Sequence, residues 1–216
     1  MTDQPAPDAT PARLIAAGLV LFGQEGYAAT STRAIAKRAG ANISAIAYHF
    51  GGKAGLHDAC LSAVTERIDG AAGPALEGPL PPEVARQRLH AMLEAITRFL
   101  VTAPAAPEIA GFVLRQMQEP GDAADRLYER LFERRHRELC ELWSTVTGQP
   151  AESEAVCLSC FTLIGQIVYF RIGARLISRR LGWDSPGPDQ APAIAATLAC
   201  NLDAMLDRAL AGKDTR

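Results

Sequence analysis

The sequence predicts an all-α protein built from an N-terminal three-helix region and a larger helical region. Apolar residues recur at helical spacing in almost every segment, and nowhere do several alternating runs of the kind strands require follow one another. Stretches rich in glycine and proline punctuate these segments. With 48% hydrophobic residues, the 216-residue chain has enough apolar surface to bury a core in each region.

The first helix begins at Thr10-Pro11, a capping residue followed by proline at the first helical position. It presents Leu14, Gly18, Leu21 and Phe22 on one face before Gly26 ends it. Two very short helices follow inside "TSTRAIAKRAGANISAIAYHFGGKAGL", residues 30–56. Thr30 and Ser31 cap the one carrying Ile35, Ala36 and Ala39; Gly40 permits the turn; Asn42 caps the next, over 43–49. A helix over 56–69 completes the region. The glycine- and proline-rich stretch over 69–83 reads as a linker, which divides the chain into domains 10–69 and 83–211. Beyond it the spacing predicts helices over 83–102, 107–118, 123–147, 152–181 and 193–210.

Composition excludes several classes. The opening "MTDQPAPDATP" is polar and proline-rich, so it reads as a disordered tail and not as a secretory signal. The apolar run "AVCLSCFTLIGQIVYF", 155–170, is shorter than the roughly 20 residues of a membrane span and contains Ser159, Thr162 and Gln166, so it is expected as a buried helix. Five cysteines, an odd number, fit free thiols in a reducing cytoplasm. Cys157 and Cys160 form a C-x-x-C inside the most apolar run, where plain core packing is favoured over a redox pair. His49, His57, His90 and His136 lack metal-ligand spacing with one another, so neither metal nor cofactor is expected. No Ser-His-Asp order stands out, and "HFGGKAG" lacks the first glycine and the Ser or Thr of a phosphate loop. No enzyme is expected.

Charge is distributed unevenly. The whole chain carries a formal net charge of -2, yet residues 10–67 hold six Lys and Arg against three acidic residues, leaving the rest five negative. The basic excess falls where the two short helices fall. Ala36, Gly40 and Ile46 provide a small residue at the helix contact, a glycine at the bend and a branched apolar residue under the second helix, the requirements of a helix-turn-helix. On the second helix, Ile43, Ser44, Ala45, Tyr48 and His49 are expected to face outward, with Ile46, Ala47 and Phe50 on the inward stripe. Ser44 suits a base edge; Ile43 and Ala45 suit a thymine methyl; Tyr48 and His49 suit phosphate or base edges. Thr30, Ser31, Thr32, Arg33, Asn42 and Lys53 complete the candidate set, most of them placed to anchor phosphates. The alternatives are a helical sensor or scaffold without DNA binding, and a thiol redox sensor.

The same stretch resembles the TetR family of bacterial transcriptional regulators from the first helix to Leu56: Gly26-Tyr27, the Thr-Ser cap, "IA", "AG", and "YHFGGKAGL". It departs from the family at Ala34, usually acidic, at Ala41, usually Val, and at Ala47, usually a phosphate-contacting Tyr. "NISAIAYHFGGKAGL", "FVLRQMQEPGDAADRLYERLFERRH" and "GQIVYFRIGARLISRRLGW" look most like its CecR-like branch. The resemblance implies a homodimer on a palindromic double-stranded operator, released by a small-molecule effector, with no membrane partner. Candidate effector contacts are Phe112, Arg115, Gln116, Met117, Tyr128, His136, Trp143, Gln166, Tyr169 and Arg171, polar tips among apolar bodies.

Overall fold

The computed structural model describes residues 9–74, 78–119 and 122–212, and among these every regular element is helical. The order is α1 (Ala9–Ala29), α2 (Thr32–Ala39), α3 (Ser44–Phe50), α4 (Lys53–Ala72), α5 (Pro82–Thr102), α6 (Ala106–Gln118), α7 (Asp122–Leu127), a π-helical turn Tyr128–Phe132, α8 (Glu133–Thr147), α9 (Glu154–Ile172), α10 (Ala174–Leu181) and α11 (Ala191–Ala211). The expected N-terminal tail lies mostly outside the described residues. So do parts of the linker and of the "EPGD" stretch.

Two compact units emerge, one within Met1–Arg67 and Pro107–Tyr128, the other within Ile68–Ala106 and Glu129–Arg216. This grouping differs from the division expected at 69–83. Helix α4 continues to Ala72, and α6 joins the first unit because Phe112, fully buried, closes on the His57 ring at 5.3 Å.

In the first unit Leu14, Leu21, Phe22, Ile35, Ile46, Leu56 and Leu61 are buried together with Gly18's close approach to Cys60, where an added Cβ would lie 2.8 Å from Sγ. Gly26 breaks α1 with a φ of 82°. Thr30 closes that break: its Oγ1 donates to the carbonyls of Gly26 at 2.7 Å and Leu21 at 3.1 Å. Gly40 ends α2 in the left-handed region at φ 60°, while the amide of Ala41 donates to Ala36 O at 2.9 Å. A Cβ-bearing residue there costs about 1 to 2 kcal/mol.

His57 is buried between Phe22, Tyr27 and Phe112. Burial pushes its pKa below the ordinary 6.5, with Arg126 adding to the shift and Gln116, Asp58 and Glu119 opposing it. The folded protein therefore holds this imidazole neutral where the unfolded chain protonates it.

The second unit packs α5, α8, α9 and α11 around Leu89, Met92, Trp143, Val156, Leu163, Leu198 and Leu202. Two ionic clusters tie it together. Arg86 reaches Asp203 at 2.6 Å and Asp207 at 3.0 Å, with His90 Nε2 at 2.9 Å from Asp203. Hydrogen bonds from Arg86 and His90 hold the Asp203 carboxyl below its usual range. Arg135 donates to Asp69 at 2.8 Å and to Glu138 at 2.6 Å, and Arg134 also pairs with Asp69.

The single helix expected over 123–147 is interrupted by the π-helical turn. That over 152–181 breaks at Gly173, whose ψ of 5° ends α9. Helix α9 is not the buried helix the composition suggested. It buries Val156, Cys160, Leu163 and Ile167, while Leu158, Phe161, Tyr169 and Ile172 stand exposed, continued by Leu176 on α10. With 19 apolar-rich residues, α9 would suffice by length and composition to cross a membrane, yet one of its faces belongs to this unit's core.

The first unit's packing can be tested at two positions. Ile46→Ala should lower unfolding free energy by about 2 to 4 kcal/mol in urea titrations, because a buried branched side chain leaves a cavity. The melting temperature should fall as pH drops below about 6.5, where only the unfolded chain gains the His57 proton. His57→Gln should flatten that decline, which thermal scans between about pH 7.5 and about 5 would reveal.

Candidate nucleic-acid interface

The candidate site is the surface of α2, α3 and the start of α4. Seven residues make a helix far too short to persist alone, so α3 depends on what it packs against. Of its residues only Ile46 is buried. Asn42 Oδ1 accepts from Ser44 N at 3.0 Å and from Ser44 Oγ at 2.9 Å, fixing the turn into α3, which begins at Ser44, one residue later than expected. Ser31 caps α2 by accepting from Ala34 N at 3.1 Å.

The outward set needs two changes. Ala47 is exposed, since Ile46 alone seats the helix, while Ala45 is half-buried. Ile43, Ser44, Tyr48 and His49 face solvent, with Tyr48 85% exposed and its ring against that of His49 at 4.9 Å. Thr30 does not belong with the phosphate anchors: it is buried and its hydroxyl proton is committed to the two carbonyls of the α1 break. Ser31 and Arg33 are exposed and Thr32 is half-buried. Lys53 stands at the start of α4, its ammonium 4.5 Å from the centre of the Tyr27 ring and donating to Ala28 O at 3.3 Å. Tyr27 and Ala28 thus hold that charge beside α3's end.

The ten effector candidates divide between the two units. Phe112, Arg115, Gln116, Met117 and Tyr128 lie in the first unit, and His136, Trp143, Gln166, Tyr169 and Arg171 in the second. Phe112 and Trp143 are core residues. Arg115 binds Glu119 at 2.8 Å and Glu25 O at 3.2 Å; Gln166 accepts from Asn201 at 2.8 Å; Met117, Tyr128 and Tyr169 are exposed. Gln116 is buried beside His57. Within the run of charges at 133–138, Arg135 and Glu138 are largely buried with Asp69, while Arg134 and Arg137 are exposed.

Sequence reasoning missed one constellation. His136 and Cys140, four residues apart on α8, meet Cys157 of α9, with their ligating atoms all within 4.8 Å of one another. Nothing in the local spacing signals it, because the partners come from different helices.

A helical bend whose second member exposes most of its residues, followed by a larger helical bundle, defines a DNA-binding helix-turn-helix regulator. The comparisons agree. Residues 14–60 match the model of bacterial regulatory proteins of the tetR family, and residues 85–208 match that of the C-terminal domain of the HTH-type transcriptional dual regulator CecR. The chain is 32% identical over 203 residues, 90% of each chain, to the HTH-type transcriptional dual regulator CecR of Shigella flexneri. Solved structures share the fold: SCO3833, a TetR-family member from Streptomyces coelicolor, has a TM-score of 0.60 with 22% identity, covering 88% of this chain and 89% of its own. PfmR from Thermus thermophilus gives 0.58 with 19% identity, covering 87% and 94%. The chain belongs to the TetR family of transcriptional regulators, within the branch that carries the CecR-type C-terminal domain.

The caps make the interface's stability testable. Ser31→Ala should cost about 1 kcal/mol in chemical unfolding, the usual loss of a side-chain cap.

Proposed function

We propose that the chain is a cytoplasmic repressor that binds a palindromic operator as a homodimer and leaves it when a small molecule binds the helical region beyond α4. The observation that carries the reading is the presentation of α3: Ile46 is its buried residue, and Ile43, Ser44, Tyr48 and His49 are exposed, the Ser44 hydroxyl donating to Asn42. In this reading Ser31, Thr32, Arg33 and Lys53 position the backbone and Asn42 fixes the helix that reads. Residues 10–69 form the reading domain and 83–211 the effector-binding and dimerisation domain. The protein acts by binding and not by catalysis.

Dimerisation is supported by the bare apolar stripe Leu158, Phe161, Tyr169 and Ile172 on α9 with Leu176 on α10, spaced mostly three and four residues apart along one side. A second copy covering it two-fold would place two α3 helices for successive grooves. Operator and effector then favour different arrangements of the dimer, and each weakens the other's binding by the same factor.

The test is a titration of the protein against its own upstream intergenic DNA beside a scrambled duplex, at two salt concentrations. Selective binding that weakens with salt is expected. Tyr48→Ala should reduce affinity by about 10-fold or more, and Lys53→Ala should reduce the salt dependence by about one counterion. Exposed Ala47, where the family usually has a phosphate-contacting tyrosine, favours one second reading, a sensor without DNA binding. Unchanged affinity in both variants would establish that reading instead.

A further inference from the structure

Helices α8 and α9 bring an imidazole and two thiols together inside the second unit, and operator reading does not use them. His136 Nε2 lies 3.1 Å from the carbonyl oxygen of Cys157. A carbonyl only accepts, so Nε2 carries the proton and Nδ1 is left as a bare lone pair. That lone pair faces Cys140 Sγ at 3.6 Å. The Phe161 ring stacks on the imidazole at 3.9 Å and fixes its plane. Cys157 Sγ completes the group within 4.8 Å, and Cys160, one turn further along α9, is buried in the same core.

We propose that His136, Cys140 and Cys157 form a three-donor binding site for one thiophilic d10 cation, zinc(II) or copper(I). The donor set selects the class: imidazole nitrogen and sulfur favour these ions, and no carboxylate in the group offers the oxygen that magnesium or calcium needs. The separations fit. In a tetrahedral site with metal–sulfur near 2.3 Å and metal–nitrogen near 2.0 Å, neighbouring ligand atoms lie about 3.6 Å apart, which is the Nδ1 to Sγ separation here. The Nε2–H to carbonyl bond is the outer contact that metal-binding histidines use to hold the ring and raise its basicity. Cys157 and His136 are only half-buried, which leaves a way in for the ion.

Simple core packing explains Cys160 well, but it does not call for an imidazole nitrogen turned onto a thiol. Thiol redox sensing fits less well. Sensor cysteines are exposed, whereas Cys140 and Cys160 are buried.

The experiment uses the full-length protein, reduced and freed of metal. Cobalt(II) is added as a spectroscopic probe for the zinc arm, followed by zinc(II) displacement. Copper(I) is titrated separately under anaerobic conditions against a chromophoric chelator. One ion per chain is expected, with thiolate-to-cobalt charge-transfer bands and the intense visible bands of a tetrahedral site if the zinc arm applies. His136→Gln and Cys157→Ala should each weaken binding at least 10-fold, while Cys200→Ser, on the exposed face of α11, should leave it unchanged. Circular dichroism of the metal-free variants checks that they fold, and binding by the unaltered chain decides the question if one does not. Uptake of either ion alone upholds the site and identifies its ion. Uptake of neither, or undiminished affinity in a folded His136→Gln and Cys157→Ala double variant, overturns it.

Discussion

The seating of α3 on a single side chain is the constraint from which the rest of the first unit follows. A seven-residue helix has too few internal hydrogen bonds to offset the entropy of ordering it, so its direction comes from outside. Ile46 supplies the buried contact and Gly40 the bend, which leaves Ser44, Ala47, Tyr48 and His49 of α3 exposed. That exposure is what makes a reading surface possible. The same economy explains the deep placement of Thr30, which closes the break at Gly26 so that α1 and α2 meet at a fixed angle.

Charge plays a smaller part here than in many DNA-binding proteins. Residues 10–67 carry only a modest basic excess, and α3 holds no Lys, Arg, Asp or Glu. Selectivity in such a surface has to come from shape, hydroxyl hydrogen bonds and apolar contact, with a few fixed cations such as Lys53 setting position. Lys53 is well suited to this: its ammonium rests on the Tyr27 ring and is partly ordered before any phosphate arrives.

The second unit divides its duties by helix face. One side of α9 fills the core with Val156, Leu163 and Ile167, its start meets α8 around His136 and the thiols, and its remaining side is apolar and bare. A face of that kind is costly in water, which is the physical ground for expecting a second subunit over it. Arg135 and Glu138, though drawn from a run of charges, are held inside by ion pairs, Arg135 to Asp69 and Glu138, and Arg88 3.8 Å from the second Glu138 oxygen.

By itself the sequence determined the helical class, most helix positions, the Gly40 bend and the identity of Ile46 as the anchor. These are local matters, carried by spacing, caps and glycine, and they survive without knowledge of any distant partner. The TetR family was legible for the same reason, since its motif lies in one continuous stretch. Only the tertiary structure decided that Thr30 is inside and Ala47 outside, that α6 belongs with the first unit, that α9 keeps one face bare and ends at Gly173, and that His136 meets Cys140 and Cys157. Each of these depends on which residue far along the chain arrives at a given place, and hydrophobic periodicity specifies that a face is buried without specifying against what.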